Sequence, residues 1–517
     1  VIHPSPLGDV QVPAVALTGH VLADVAAHPL RPALIDGPTG EVVTYAELEW
    51  RVRSLAGGLV SAGLRKGDVV ALLAPNCPSY AVVFHAVALA GGVVTTINPT
   101  YTAGEVHHQL LDSGATRLVT TAAFLATAAD AASGTGVAAR YLLDGTATDG
   151  AIPLVDVFGS PLDHQVPVEP DDIVVLPYSS GTTGLAKGVM LSHRNLVANL
   201  LQTQAVLRIE EGESFAAVLP FFHIYGMQVL MNLGLVAGAT VVTMPRFDLD
   251  LFLALHEEHE LTRAFVAPPI VVALAKHPAV DDHDLSLRTV LSGAAPLSAD
   301  LAVEAAGRLG CEVVQGYGMT ELSPVSHVTP AGDATPGSVG VAVPGTEVRV
   351  VNVATGEDLD VGADGEVWIR GPQVMMGYLG NPDATATTID GDGWLHTGDV
   401  GHLDTDGHLF IVDRVKELIK VSGFQVPPAE LEALLLTHPD VIDAAVVGVP
   451  DDQAGEVPVA FVVRRPGATT PEDEMQAFVA KRVATYKRIH RLDIVESIPK
   501  SASGKILRRV LRDGAIA

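Results

Sequence analysis

Ile173-Val174-Val175-Leu176-Pro177-Tyr178-Ser179-Ser180-Gly181-Thr182-Thr183-Gly184-Leu185-Ala186-Lys187-Gly188 is an apolar run that gives way to a loop of hydroxyls and glycines closed by a lysine. The apolar run reads as a buried strand, and Ser192 opens a helical pattern with Leu196, Val197 and Leu200 on one face. The spacing therefore predicts that the loop joins a strand toward a helix. Gly181 and Gly184 let the backbone turn where a β-carbon would obstruct it, so the N–H groups and the hydroxyls of Ser179, Ser180, Thr182 and Thr183 can face phosphate oxygens. Lys187 adds a mobile positive charge. The common nucleotide loop has the pattern G-x-x-x-x-G-K-[S/T], whereas here Gly188 follows the lysine, so a different phosphate chemistry is expected.

Outward from this loop, the chain keeps an α/β rhythm. Tyr45, Leu48, Val52, Leu55 and Leu59 share one helical face, and Val69-Val70-Ala71-Leu72-Leu73 reads as a buried strand. The same alternation runs through Phe215 to Leu219, Thr240 to Val242, the helix around Phe252 and Leu255, and Ala264 to Val266, which predicts parallel sheets. Tyr80 to Ile97 is apolar enough to raise the question of a membrane span. His85, Gly91-Gly92 and Thr95-Thr96 interrupt it, so it reads as a buried helix followed by a buried strand.

From about Gly337 short strands alternate with turn residues, and Asp406-Gly407 marks a hairpin between Gly401-His402-Leu403 and His408-Leu409-Phe410-Ile411. A small β subdomain is expected over about residues 337–412, within an N-terminal domain of residues 1–415 that also holds two α/β subdomains. Residues 416–517 are expected to form a smaller, mobile α+β domain, with helices over 429–435, 472–482 and 506–511 and strands over 444–449 and 457–463. Ten basic residues crowd its end, from Lys481 to Arg512. They fit either a solvated helix face or a site for polyphosphate.

The 517 residues, 48% of them hydrophobic, can bury a large core. A net charge of -28 argues against adhesion to nucleic acid or anionic membrane, so an anionic ligand must meet local positive charge. Cys77 and Cys311 have no metal-ligand or disulfide spacing, which fits a reducing, cytoplasmic setting. The stretch from Val1 to Pro6 does not read as a secretory signal.

Four further blocks follow the loop: Tyr317-Gly318-Met319-Thr320-Glu321, Trp394-Leu395-His396-Thr397-Gly398-Asp399, Asp413-Arg414-Val415-Lys416-Glu417-Leu418-Ile419-Lys420, and Pro499-Lys500-Ser501-Ala502-Ser503-Gly504-Lys505. In this order the chain resembles, over essentially its whole length, the adenylate-forming superfamily of acyl-CoA synthetases, luciferases and nonribosomal peptide adenylation domains. Leu219 to Gly226, Ser292 to Leu297 and Gly423 to Glu432 are most similar to 4-coumarate:CoA ligases. The resemblance implies that an aromatic carboxylate, 4-coumarate or cinnamate in type, attacks the α-phosphorus of ATP, and that the acyl adenylate then passes to CoA. Medium-chain fatty acids, or transfer to a carrier protein, stand as alternatives. A monomer or homodimer without integral membrane association is expected.

By that resemblance the loop, with Gly316, Tyr317 and Gly318, holds the nucleotide. Thr320 contacts the α-phosphate, Glu321 holds Mg²⁺, and Asp399 with Arg414 takes the ribose diol. Lys505 is the adenylation lysine, and Lys416 is the hinge about which the small domain turns. Lys420, Ser422, Gly423 and Phe424 then face the thiol, with Ser422 standing where plant relatives carry a cation. The acyl slot is expected from Tyr225, Leu291, Gly293, Gly318, Pro324 and Val325. His223 either orients the carboxylate or is a packed histidine bonded to backbone.

Overall fold

A computed structural model describes residues 1–146, 150–179, 186–422, 424–451, 453–501 and 504–516. Among the described residues the strands form four sheets. The first runs from the pair Tyr178–Ser179 and Lys187–Ser192 through Ile173–Val175, Val93–Ile97, Val69–Leu73, Arg117–Thr120 and Ala139–Leu142 to Ile152–Pro153. It is parallel from Ile173–Val175 onward. The second has a parallel centre, Glu312–Gly318, Thr289–Ser292, Arg263–Val266, Ser214–Ala217, Thr240–Thr243 and Pro32–Asp36, with antiparallel edges.

One contiguous apolar core reaches into both sheets and takes in the helices Tyr45–Ser61, Pro78–Leu89 and His193–Leu207. Tyr45, Leu48, Val52, Leu55 and Leu59 are all buried, as the helical spacing requires. The apolar run after Tyr80 is the buried helix Pro78–Leu89 and the buried strand Val93–Ile97. Among the described residues no helix is long and apolar enough to cross a membrane.

The expected strand-to-helix setting of the glycine-rich loop is corrected by the structure. Tyr178–Ser179 and Lys187–Ser192 pair antiparallel, Ser179 opposite Lys187, so the loop is followed by a second strand rather than by a helix. The helix His193–Leu207 begins only after the second strand. Ser192 caps it, its hydroxyl accepting the Asn195 N–H while the Asn195 side chain accepts the Ser192 N–H. The helix N-terminus is thus spent on Ser192 and does not open toward the loop. The short apolar run Val189-Met190-Leu191 carries this extra strand, and Gly377–Tyr378 pairs with its other edge.

The third sheet orders His3–Pro4, Glu347–Val351, Gly365–Arg370, Leu395–Leu403 and Leu409–Arg414, all antiparallel. Its edge strand from the chain's start has no sequence signal. The fourth sheet joins Phe424–Val426, Ile419–Val421, Gly455–Arg464 and Val441–Asp451, with Arg491–Ile494 parallel to Gly455–Arg464. The helices Pro428–Leu436 and Glu472–Ala480 bury Leu431, Leu435, Met475 and Val479 in its own core. Part of the basic cluster near the end is neutralised internally: Lys487 pairs with Glu430 and Lys500 with Asp443, each at 2.6 Å, and Arg508 pairs with both Glu417 and Glu432.

Candidate active site

The C-terminal end of the strand Glu312–Gly318 and the turn Thr320–Leu322 form one wall of a cavity open at its mouth. His223, Tyr225, Leu291, Gly293, Gly316, Tyr317, Gly318, Thr320, Pro324, Val325 and Lys505 all line it. Residues nearly three hundred positions apart in sequence thus meet in one place. Its width depends on missing side chains: a β-carbon on Gly293 would lie 2.8 Å from the Tyr225 ring, and one on Gly318 would lie 2.0 Å from the Pro324 carbonyl oxygen. Tyr225 is buried and its hydroxyl reaches the Leu291 carbonyl at 3.4 Å.

Around the mouth the polar groups are interlocked. Asp399 and Arg414 are cross-strand partners, with Arg414 Nε 3.3 Å from Asp399 Oδ1, and the Tyr317 hydroxyl donates to Asp399 Oδ2 at 2.6 Å. Burial raises the Asp399 carboxyl above its ordinary range, while Arg414, Tyr317 and Lys505 pull it back. Glu321 is buried, and its Oε1 accepts hydrogen bonds from Ser179 (2.9 Å) and Tyr378 (2.8 Å). Lys187 extends over the Tyr378 ring, 4.8 Å from its centre.

Lys505 enters this setting from the far end of the chain. Next to it the Gly504 N–H bonds the Ser501 carbonyl, and its own N–H bonds the Ser501 hydroxyl. Burial and Arg414 lower its pKa, against Asp399, Glu321 and Glu417. Burial, assisted by Lys505, pushes the His223 imidazole down to about 3. His223 Nδ1 accepts the Tyr225 N–H at 3.3 Å, so the neutral ring carries its proton on Nε2. The histidine is thus bonded to backbone, and it also lines the cavity.

Lys416, Lys420, Ser422 and Phe424 are exposed and do not line the cavity. Phe424 stacks on Tyr486, ring centres 4.4 Å apart. Ser180, Gly181, Thr182, Thr183, Gly184 and Gly423 lie outside the described residues. Two participants escaped the sequence reading. Tyr378 follows Gly377 in a turn-rich stretch with no periodicity to flag it, and Thr203 lines the cavity from a helix that reads simply as core.

Residues 22–379 match the AMP-binding enzyme family, and residues 430–505 match the AMP-binding enzyme C-terminal domain. The chain belongs to the AMP-binding enzyme family. Among AMP-binding enzymes, 4-coumarate--CoA ligase 3 of Oryza sativa subsp. japonica is 47% identical, over 99% of this chain and 94% of the relative. The 4-coumarate--CoA ligase 1 of Solanum tuberosum is 44% identical over 99% and 96%. The crystal structure of the anthranilate CoA ligase AuaEII in complex with anthranoyl-AMP superimposes with a TM-score of 0.92 at 26% identity, covering 98% of each chain. ATP-bound MatB from Rhodopseudomonas palustris gives 0.88 at 31% identity, over 96% and 98%.

Proposed function

We propose that the protein is an AMP-forming acid:CoA ligase that activates an aromatic, 4-coumarate-like carboxylate with ATP and passes the acyl group to CoA. The observation that carries this reading is Lys505 of the C-terminal unit lining one cavity with His223, Tyr225 and Thr320 of the N-terminal unit. A carboxylate oxygen attacks the α-phosphorus of ATP and pyrophosphate leaves; a thiol then displaces AMP from the acyl adenylate.

Each residue at the mouth fits one demand of the first step. His223, neutral and protonated on Nε2, can donate to one carboxylate oxygen and leave the other to attack. Lys505 and Thr320 meet the charge that builds on the α-phosphate, an electrostatic contribution of several kcal/mol in a water-poor site. The two oxygens of Asp399 suit a vicinal diol, the ribose displacing the Tyr317 hydroxyl or sharing the acceptor with it. Glu321 uses only Oε1 for Ser179 and Tyr378, which leaves Oε2 for a cation held by one carboxylate and substrate phosphates, the usual arrangement for magnesium. Mg²⁺ so bound would offset phosphate charge.

The acyl slot supports a ring. The Tyr225 face, the bare Gly293 and Gly318, and Leu291, Pro324 and Val325 make a narrow, mainly apolar cleft. For the second step, Lys420 to Phe424 is a second face that reaches the cavity when the C-terminal unit turns about Lys416, which is exposed between the Val415 N–H bond to Gly398 and the Leu418 N–H bond to Arg414. This reading carries with it a cytoplasmic monomer or homodimer. A screen of carboxylic acids with ATP, Mg²⁺ and CoA, following AMP and pyrophosphate, tests it. Turnover of 4-coumarate and cinnamate is expected; activity confined to long-chain fatty acids would overturn it.

A further inference from the structure

Away from the mouth the slot is mainly apolar, and one of its few polar groups is without a hydrogen-bond partner among the described residues. Thr203 lines it beside Leu207, Val229, Leu291 and Val328, is 2% exposed, and its Oγ1 has no hydrogen-bond partner among the described residues. A helical threonine ordinarily bonds back to the carbonyl one turn earlier, and a buried hydroxyl left unpaired costs about 1–3 kcal/mol. The orientation of its helix is fixed. One turn before Thr203, Asn199 bonds Val325 in both directions, Nδ2 to the carbonyl at 2.7 Å and the Val325 N–H to Oδ1 at 3.2 Å. One turn after it, Leu207 lines the slot, so the Asn199-Thr203-Leu207 stripe faces the cavity wall.

The wall runs the same way. Val325 is paired with Gly318, next to the reacting end, and Val328 with Gly316, further in. Thr203 lies about 6 Å along its helix from the Asn199 pin. The Tyr225 hydroxyl, another polar group of this wall, is already directed at the Leu291 carbonyl.

We infer that Thr203 is a specificity-determining residue whose Oγ1 pairs with a polar substituent, a phenolic hydroxyl in type, on the end of the aromatic acid remote from its carboxylate. The inference rests on the aromatic-acid reading and adds to it the group that reads the ring. The hydroxyl can donate or accept, so it suits a phenol in either sense. An unsubstituted ring would leave Oγ1 as it is now, unpaired.

Thr203→Val keeps the shape and removes the hydroxyl, and Thr203→Ser keeps the hydroxyl. Steady-state kinetics with 4-coumarate and cinnamate, which differ only in the ring hydroxyl, separate the cases. In Thr203→Val, kcat/KM for 4-coumarate should fall about tenfold, mainly through KM, while cinnamate is unchanged or improved. Thr203→Ser should restore preference for the hydroxylated acid. Equal losses on both acids, or no loss on either, would overturn the inference while leaving the ligase reading intact. A wild-type enzyme that turns over neither acid would sink the substrate reading and this inference together. If Thr203→Val does not fold, an unaltered 4-coumarate preference in Thr203→Ala would overturn the inference, and its selective loss would support it.

Discussion

Lys505, from the C-terminal unit, and His223, from the N-terminal unit, line the same cavity, and the lysine adds to burial in holding the imidazole near 3. In the proposed reaction, this cation and this neutral donor meet the carboxylate and the phosphate. Lys505→Ala should lower adenylate formation by about 10²-fold or more, the range for removing one charged group from such a site. Thioester formation from supplied acyl adenylate should survive. Pyrophosphate release and CoA-dependent AMP release, measured separately, check the division; equal loss of both contradicts it.

The same pair predicts the shape of the pH profile. His223 ionises far below neutrality, so the adenylation rate should show no step near the ordinary histidine pKa. Lys505, held below its ordinary value by burial and Arg414, loses its charge as pH rises. The alkaline limb should therefore fall at a lower pH than a free lysine would give, and Lys505→Arg should move it upward. Single-turnover adenylation across pH 5–10 with wild type, Lys505→Arg and His223→Gln measures both; a limb near 6.5 that vanishes in His223→Gln would contradict the assignment.

Lys420 poses the opposite case, because it is exposed and outside the cavity that contains Lys505. Lys420→Ala should leave pyrophosphate release within about twofold, as for a surface change remote from the chemistry. Transfer to CoA should slow by an order of magnitude or more. A parallel loss of both half-reactions would remove Lys420 from the thiol step.

Gly293 offers a steric test. A methyl group there meets the buried Tyr225 ring at 2.8 Å, so the ring must shift or the slot must narrow. Overpacking of this kind costs about 1–3 kcal/mol, so Gly293→Ala should reduce kcat/KM for 4-coumarate by about tenfold or more and leave the KM for ATP unchanged. An acid panel in the purified variant decides; an unchanged 4-coumarate rate would place the ring elsewhere.

The legibility of this site in sequence follows contact distance along the chain. Helical and strand periodicity located the buried face of Tyr45–Ser61 and the helix-strand pair after Tyr80, because those patterns are local. The strand pair at Tyr178 was not local: Val189-Met190-Leu191 is too short to show a period, and its outer partner Gly377–Tyr378 lies almost two hundred residues away. Tyr378 was missed for the same reason. Residue identity at Glu321, Asp399 and Lys505 pointed to one chemistry through their order, yet each alone is an ordinary charged residue. That Tyr317 bonds Asp399, or that Thr203 Oγ1 has no hydrogen-bond partner among the described residues, depends on atoms that only the fold brings together.

Asp413 gives the last prediction, on stability. It ends the third sheet next to Arg414, yet its Oδ2 accepts the Ala429 N–H in the first turn of Pro428–Leu436, at 2.9 Å, so it joins the β sheet to the C-terminal unit. Its Oδ1 accepts the Arg414 N–H at 2.7 Å. Arg508 favours the carboxylate and Glu432 opposes it, but burial prevails and pushes Asp413 up to about 6. A carboxyl that holds its proton more tightly folded than unfolded stabilises most below its unfolded pKa, near 4, and that contribution is lost as pH rises through 6. Ionisation should thus cost on the order of 3 kcal/mol by neutral pH. Asp413→Asn keeps an acceptor for Ala429 and cannot ionise. The Tm of wild type minus that of Asp413→Asn should therefore be larger at pH 4 than at pH 7, with the change falling between pH 4 and 6. A difference that is flat with pH, or that grows toward neutrality, would mean that Arg508 and not burial sets the charge of Asp413.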